Sequence, residues 1–266
     1  MTHPRLPPSP PRLSPRGTPP SRKPPTKGLW LWGKHSVRAA LENPQRTCFS
    51  VICTTDLLPF VNPLLEGRAK PPTLEILRNQ DIEERLPLGA IHQGIALTVQ
   101  PLEPLWIQEF LAQQPDAQRI VVLDQITDPQ NFGALLRSAC AFGMDAVLTL
   151  ERNSPPLGGV VAKSASGALD KIPVVLTANL AQGLDLLKRA GFWCVGLTEN
   201  GDIPLDQLDL NCKLAIVMGA EGKGLRRLTE ELCDLRVALP TSPLFPTLNV
   251  SAAGAVVFYR CRGPSL

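Results

Sequence analysis

Arg119-Ile120-Val121-Val122-Leu123-Asp124 decides the fold. It is an uninterrupted β-branched and aliphatic run ended by a carboxylate, the texture of a strand covered on both faces. That texture returns at Ala146-Val147-Leu148-Thr149-Leu150, Phe192-Trp193-Cys194-Val195-Gly196-Leu197 and Leu214-Ala215-Ile216-Val217-Met218. Leu235-Arg236-Val237-Ala238-Leu239 supplies a fifth strand, and residues 134–142 and 180–190 have helical composition and periodicity. Such alternation predicts an α/β fold, a mostly parallel sheet with helices on both faces. Ligands of these sheets bind beyond the carboxyl ends of the strands. Functional residues are therefore expected just after Asp124, Leu197, Met218 and Leu239.

Upstream, residues 29–100 read as a small α/β unit. Leu29-Trp30-Leu31-Trp32-Gly33, Phe49-Ser50-Val51-Ile52-Cys53 and Gly94-Ile95-Ala96-Leu97-Thr98-Val99 are its strands, and a helix through Val37–Leu41 stops before Pro44. Pro101 and Pro104 mark residues 101–117 as a linker, which leaves 118–266 for the larger domain. Residues 1–28 hold ten prolines, six basic side chains and no acidic one. A segment with so little to bury is expected to be disordered or partly polyproline II. It is either a dispensable tail or a basic arm that adds sequence-independent affinity for nucleic acid. Beyond it stand 21 basic against 24 acidic residues, so the body must contact polyanions through local patches rather than net charge.

Several chemistries are excluded early. The seven cysteines (48, 53, 140, 194, 212, 233 and 261) are scattered, odd in number and never spaced C-x-x-C. They point to reduced thiols in a cytoplasmic setting, not to disulfides or structural zinc. Only His3, His35 and His92 exist, so the larger domain has no histidine base, triad or metal ligand. No apolar run is long enough to span a membrane, and the N-terminus lacks a secretory core.

Three segments then carry the chemistry. Asp124 to Arg137 leaves a strand, turns at Asp128-Pro129 and enters a helix near Asn131. Asn131 could merely cap that helix and Arg137 merely be a solvated charge. Met218-Gly219-Ala220-Glu221-Gly222-Lys223-Gly224-Leu225 places three glycines after a buried strand, letting a ligand approach the backbone. Its spacing fits neither a Walker A loop nor G-x-G-x-x-G. Glu221 there would repel a phosphate but could hold a polar or cationic group. Leu239 to Ser251 is a proline-stiffened loop opening a helix, with Asn249 or Ser251 as the cap.

Taken together, N-x-G-x-x-x-R, V-M-G-x-E-G-x-G-L and L-P…T-L-N-V-S-x-A resemble the SpoU (TrmH-like) branch of the SPOUT methyltransferases over roughly residues 118–262. Gly33-Lys34-His35-Ser36-Val37 and His92-Gln93-Gly94-Ile95 resemble the ribosomal-protein-like RNA-binding domain of the subgroup that modifies a 23S rRNA guanosine. The resemblance implies a deep trefoil knot in the C-terminal domain, a homodimer, and S-adenosyl-L-methionine as cofactor. By motif position it implies a pocket lined by Gly219, Leu239 and Leu248, with Thr198, Met218 and Thr247 beside them. Arg137 is implied as the central catalytic residue, with Asn131, Glu221 and Asn249 shaping the site. The implied reaction is methyl transfer to a ribose 2′-hydroxyl of RNA, without a metal or a membrane. One departure is that the third motif usually reads S-L-N, and Thr247 keeps the hydroxyl but adds a methyl that restricts χ1. A tRNA ribose methyltransferase and a catalytically silent rRNA-binding assembly factor are the competing readings.

Overall fold

The computed structural model of the protein describes residues 28–244 and 247–263. The expectation for the basic tail covers residues 1–28 and, save for Gly28, lies outside the described residues. The N-terminal unit runs β1 (Leu29–Trp32), α1 (Lys34–Glu42), β2 (Cys48–Cys53), α2 (Leu58–Glu66), β3 (Thr73–Ile76), α3 (Asn79–Arg85) and β4 (Ile95–Val99). Its four strands lie in the order β1-β4-β2-β3. β4 is antiparallel to both β1 and β2, and β3 adds in parallel to β2.

The larger sheet uses β5 (Leu105–Trp106), α4 (Ile107–Gln113), β6 (Arg119–Asp124), α5 (Pro129–Ala141), β7 (Ala146–Leu150), α6 (Gly159–Ala165), β8 (Val174–Thr177) and α7 (Leu180–Arg189). It continues with β9 (Phe192–Leu197), β10 (Ile203–Pro204), β11 (Lys213–Gly219), α8 (Arg227–Glu231), β12 (Leu235–Ala238) and α9 (Val250–Cys261). The eight strands stand in the order β10-β12-β9-β11-β6-β7-β8-β5, and every pair is parallel. Residues 101–117, expected as a linker, are structured: β5 pairs with β8 at the sheet's edge and α4 follows it directly. Two residues of strand squeezed between Pro104 and a helix are too short to show alternation, which is why the sequence hides them.

Burial on both faces explains the apolar strands. Val121, Leu123, Val147, Val195, Leu214, Ile216 and Met218 face one core with α5, α6 and α9. Ile120, Val122, Leu148, Cys194, Ala215 and Val217 face the other, with Phe110 of α4 and Leu180, Leu184 and Leu187 of α7. The period-two split is what a strand between two helical layers requires. Arg119, buried at the foot of β6, donates to the carbonyls of Cys261, Cys212 and Leu210, tying the end of α9 to the sheet.

The N-terminal unit packs directly on α6. Ser36 Oγ donates to the Ala162 carbonyl at 2.8 Å. Gly159 admits the Trp32 ring, which would lie 1.9 Å from a Cβ at that position. Arg46 and Asp170 form an ion pair at 2.8 Å with side chains 1% exposed on each side, and Asn43 Nδ2 joins it by donating to Asp170. One continuous apolar core runs through both units.

Candidate active site

Strand register brings the three segments together. Gly219 of β11 stands opposite Asp124 of β6, and Leu197 of β9 stands opposite Val237 of β12. The carboxyl ends of four adjacent strands thus sit side by side, and the loops leaving them share one rim.

Asp128, rather than Asn131, caps α5: its carboxylate accepts from the backbone N–H of Gln130 at 3.2 Å and of Asn131 at 3.1 Å. The Asn131 side chain is thereby free of capping duty, and its Nδ2 donates to Glu221 Oε2 at 3.2 Å. Asn249 caps α9, accepting on Oδ1 from Ser251 N at 2.9 Å and Ser251 Oγ at 2.6 Å. Its Nδ2 donates to Asn131 Oδ1 and to Glu221 Oε2, both at 3.0 Å. Three residues from three segments therefore form one closed network. Glu221 Oε1 has no protein partner among the described residues.

Arg137 stands apart from that network. It is exposed on α5, donates to Ser166 Oγ at 3.4 Å, and meets no carboxylate among the described residues. Ser166, its partner, has a left-handed backbone (φ 50°) at the end of α6. Nothing in the sequence marked Ser166, because the pairing depends on how α6 docks. Gly133 sets that docking, since a Cβ there would come within 2.7 Å of the Val161 carbonyl.

Beside the network lies a cavity of about 470 Å³. Thr198, Met218, Gly219, Leu239 and Leu248 line it, all five expected from the motifs, and Glu221 belongs to the lining as well. Thr247 is exposed and is not among the lining residues. Asn200, Thr241 and Ala253 line it without having been foreseen, although Asn200 lies in the loop that leaves Leu197, a strand end already singled out. Gly222 (φ 75°) and Gly224 (φ 64°) bend the 219–225 loop around the cavity, a backbone that other residues adopt only with strain. The loop is anchored from below: buried Asp124 accepts from Arg226 N at 3.1 Å and from Arg226 Nε at 2.7 Å.

The donor set fits a cationic, nucleoside-sized ligand. Thr198 Oγ1 is buried without a hydrogen-bond partner at the cavity wall, a cost a ligand would remove. Glu199, Glu221 and Glu230 face the cavity against a single lysine, Lys223. The volume is in the range of ordinary small-molecule sites. Thiol chemistry does not compete: burial pushes Cys194 and Cys233 up to about 12 and Cys261 up to about 11, leaving little thiolate near neutral pH. Among the described residues no cluster of His, Cys, Asp and Glu could hold a metal ion, and no helix is long and apolar enough to cross a membrane.

A family model described as the SpoU rRNA Methylase family matches residues 118–259, the span that carries all three segments. The chain belongs to the SpoU rRNA methylase family. Among SpoU relatives, the 23S rRNA (guanosine-2'-O-)-methyltransferase RlmB of Pseudomonas putida is 36% identical over 245 residues, covering 86% of this chain and 94% of that protein. The protein of the same name from Escherichia coli (strain K12) is 34% identical over 237 residues, covering 86% and 96%. The match therefore includes the N-terminal unit. Among solved structures, the SpoU methyltransferase AviRb of Streptomyces viridochromogenes, in complex with the cofactor AdoMet, superposes with a TM-score of 0.73 at 20% identity, covering 88% of this chain and 89% of that one. That likeness establishes a shared fold for the SpoU domain and the unit before it.

Proposed function

We propose that this protein transfers the methyl group of S-adenosyl-L-methionine to a ribose 2′-hydroxyl of RNA, a guanosine in 23S rRNA. The observation that carries the reading is the Asn131–Glu221–Asn249 network at the edge of a cavity walled by Gly219, Leu239 and Leu248. Two relatives matched over nearly their whole length carry that activity in their names, which favours rRNA over tRNA. An intact network speaks against a silent assembly factor.

When bound, the cofactor supplies an electrophilic methyl on a sulfonium. The backbone at Met218–Gly219, Leu239 and Leu248 would hold it, with Thr198 Oγ1 gaining the partner it lacks. The protein must then place a hydroxyl in line and accept its proton. A guanidinium stays protonated in almost any protein setting, so Arg137 is assigned a phosphate clamp that orients the ribose. Proton acceptance falls to Glu221, whose Oε2 is fixed by two amides while Oε1 has no protein partner among the described residues.

The 29–100 unit is the rRNA-binding part and 118–266 the catalytic part, which the family resemblance implies is knotted. Seven free thiols suit the cytoplasm. The homodimer would use α9, where Val256 and Tyr259 are exposed large apolar side chains; light scattering reads it directly. Single-turnover methylation of a 23S rRNA transcript tests the roles. Arg137→Ala should weaken RNA binding and slow transfer at least a hundredfold, and Glu221→Gln should slow transfer by a similar factor with RNA affinity kept. Near-normal transfer by both variants would sink the assignment. Loss of one 2′-O-methylguanosine from cellular 23S rRNA when the gene is removed would fix the substrate, and an unchanged methylation map would overturn it.

A further inference from the structure

A second cavity, of about 310 Å³, opens where the two units meet. Its walls are Trp32 and the loop Pro87-Leu88-Gly89-Ala90-Ile91 on one side, and Val160, Lys163 and Ser164 of α6 with Gln130 on the other. The spacing 160, 163, 164 is one outward face of a helix. Gln130 immediately precedes Asn131, and its carbonyl accepts from Ser164 Oγ at 2.8 Å. The cavity therefore lies along the α5–α6 seam that also carries the Arg137–Ser166 contact.

Its surface is unusual for a region facing solvent. Leu88, Ile91 and Val160 are 106%, 71% and 46% exposed around a single opening, whereas isolated exposed aliphatics need no explanation. The indole of Trp32 forms the floor, held by the close approach of Gly159. Lys163 is the cation at the edge. Burial lowers its pKa, its ammonium donates to Gln93 Oε1 at 2.9 Å, and no carboxylate pairs with it among the described residues. Gly33 (φ +87°) makes the room, because a Cβ there would stand 2.5 Å from Lys163 Nζ. Gln93 itself is held at φ 55°, a backbone uncommon for a side-chain-bearing residue, with its Oε1 also accepting from Lys34 N. With a neutral amide as its partner rather than a carboxylate, this side chain has no neighbouring anion to displace when a phosphate arrives.

We infer that this cavity takes one unstacked nucleobase of the RNA, from a nucleotide flanking the methylated one, with its phosphate on Lys163. The inference rests on the proposed RNA substrate and deepens it. Single-stranded RNA is recognised by splaying bases onto apolar and aromatic surfaces while basic side chains hold the backbone. Apolar walls beside Lys163 and Arg137, both without acidic partners, match that chemistry. An acidic peptide would find the charges, but the apolar slot next to the catalytic seam would serve no purpose for it.

The test uses the full chain, a 23S rRNA transcript and S-adenosylmethionine, with Leu88→Asp, Lys163→Met and the double variant. Filter binding gives RNA affinity, single-turnover transfer gives rate against RNA concentration, and calorimetry gives cofactor affinity. Each single variant should weaken RNA binding about tenfold. The double variant should lose less than the product of the two, because one nucleotide makes both contacts. Cofactor affinity should stay at the wild-type value, which also certifies folding. Wild-type RNA affinity in both single variants would overturn the inference, as would independent effects in the double variant. A changed molar mass by light scattering with RNA affinity untouched would assign the cavity to a second copy of this chain and overturn it too. Absence of methyl transfer by the wild-type protein would instead strike the proposed function, and RNA binding would still decide the cavity.

Discussion

Asn249 shows how much one amide can be asked to do. Its oxygen caps α9 through Ser251, while its nitrogen binds Glu221 and Asn131. The two ends can be separated by substitution. Asn249→Ala should lower stability by about 1 kcal/mol through loss of the cap, and should slow methyl transfer roughly a hundredfold. Asn249→Ser replaces the capping oxygen but not the N–H donors. It should melt like the wild type and transfer as slowly as the alanine variant; equal recovery of both properties would mean that the amide only caps. Asn131 teaches the converse lesson. Its position at a helix start made a cap the obvious reading, yet Asp128 three residues earlier takes that task. The sequence reading assigns Asp128 to the turn and the cap to Asn131, and which of them caps decides whether Asn131 is free for the site.

Elements were legible in proportion to what they bury. The apolar strands β6, β7, β9 and β11 announced themselves because both faces are covered. β3 did not, since all four of its residues are exposed at a sheet edge. α2 hid behind Pro63 inside the helix, and α6 behind its opening glycines. The network residues were readable as motif members, but their pairing needs strand register and was not. The Asp124–Arg226 anchor illustrates this, joining residues 102 apart in sequence only because β6 and β11 are neighbours. That anchor sets the height of the 219–225 loop against the cavity. Asp124→Asn preserves the volume but weakens the charge-assisted pair, so calorimetry should find S-adenosylmethionine bound roughly tenfold more weakly. An unchanged affinity would show that the glycines alone shape the loop.

At the scale of the whole molecule, the two units are fused rather than tethered. The Arg46–Asp170 pair is sealed inside their junction, with Arg46 Nη1 also donating to the Gln100 carbonyl. Removing one member strands the other charge away from water. Asp170→Ala should therefore cost about 3–5 kcal/mol, and calorimetric melting should still show a single transition, lowered for both units together. Two separated transitions would mean that the junction is not cooperative. The closed network has a consequence in time as well as in space. Its bonds span 90 and 118 residues of sequence, and such non-local contacts form late because the chain between them must first be ordered. A nascent chain long enough to fold β6 and α5 still lacks Glu221, and one that has added β11 still lacks Asn249. Under the proposed roles, the network closes in a single late step, when α9 docks and brings Asn249 to Asn131 and Glu221.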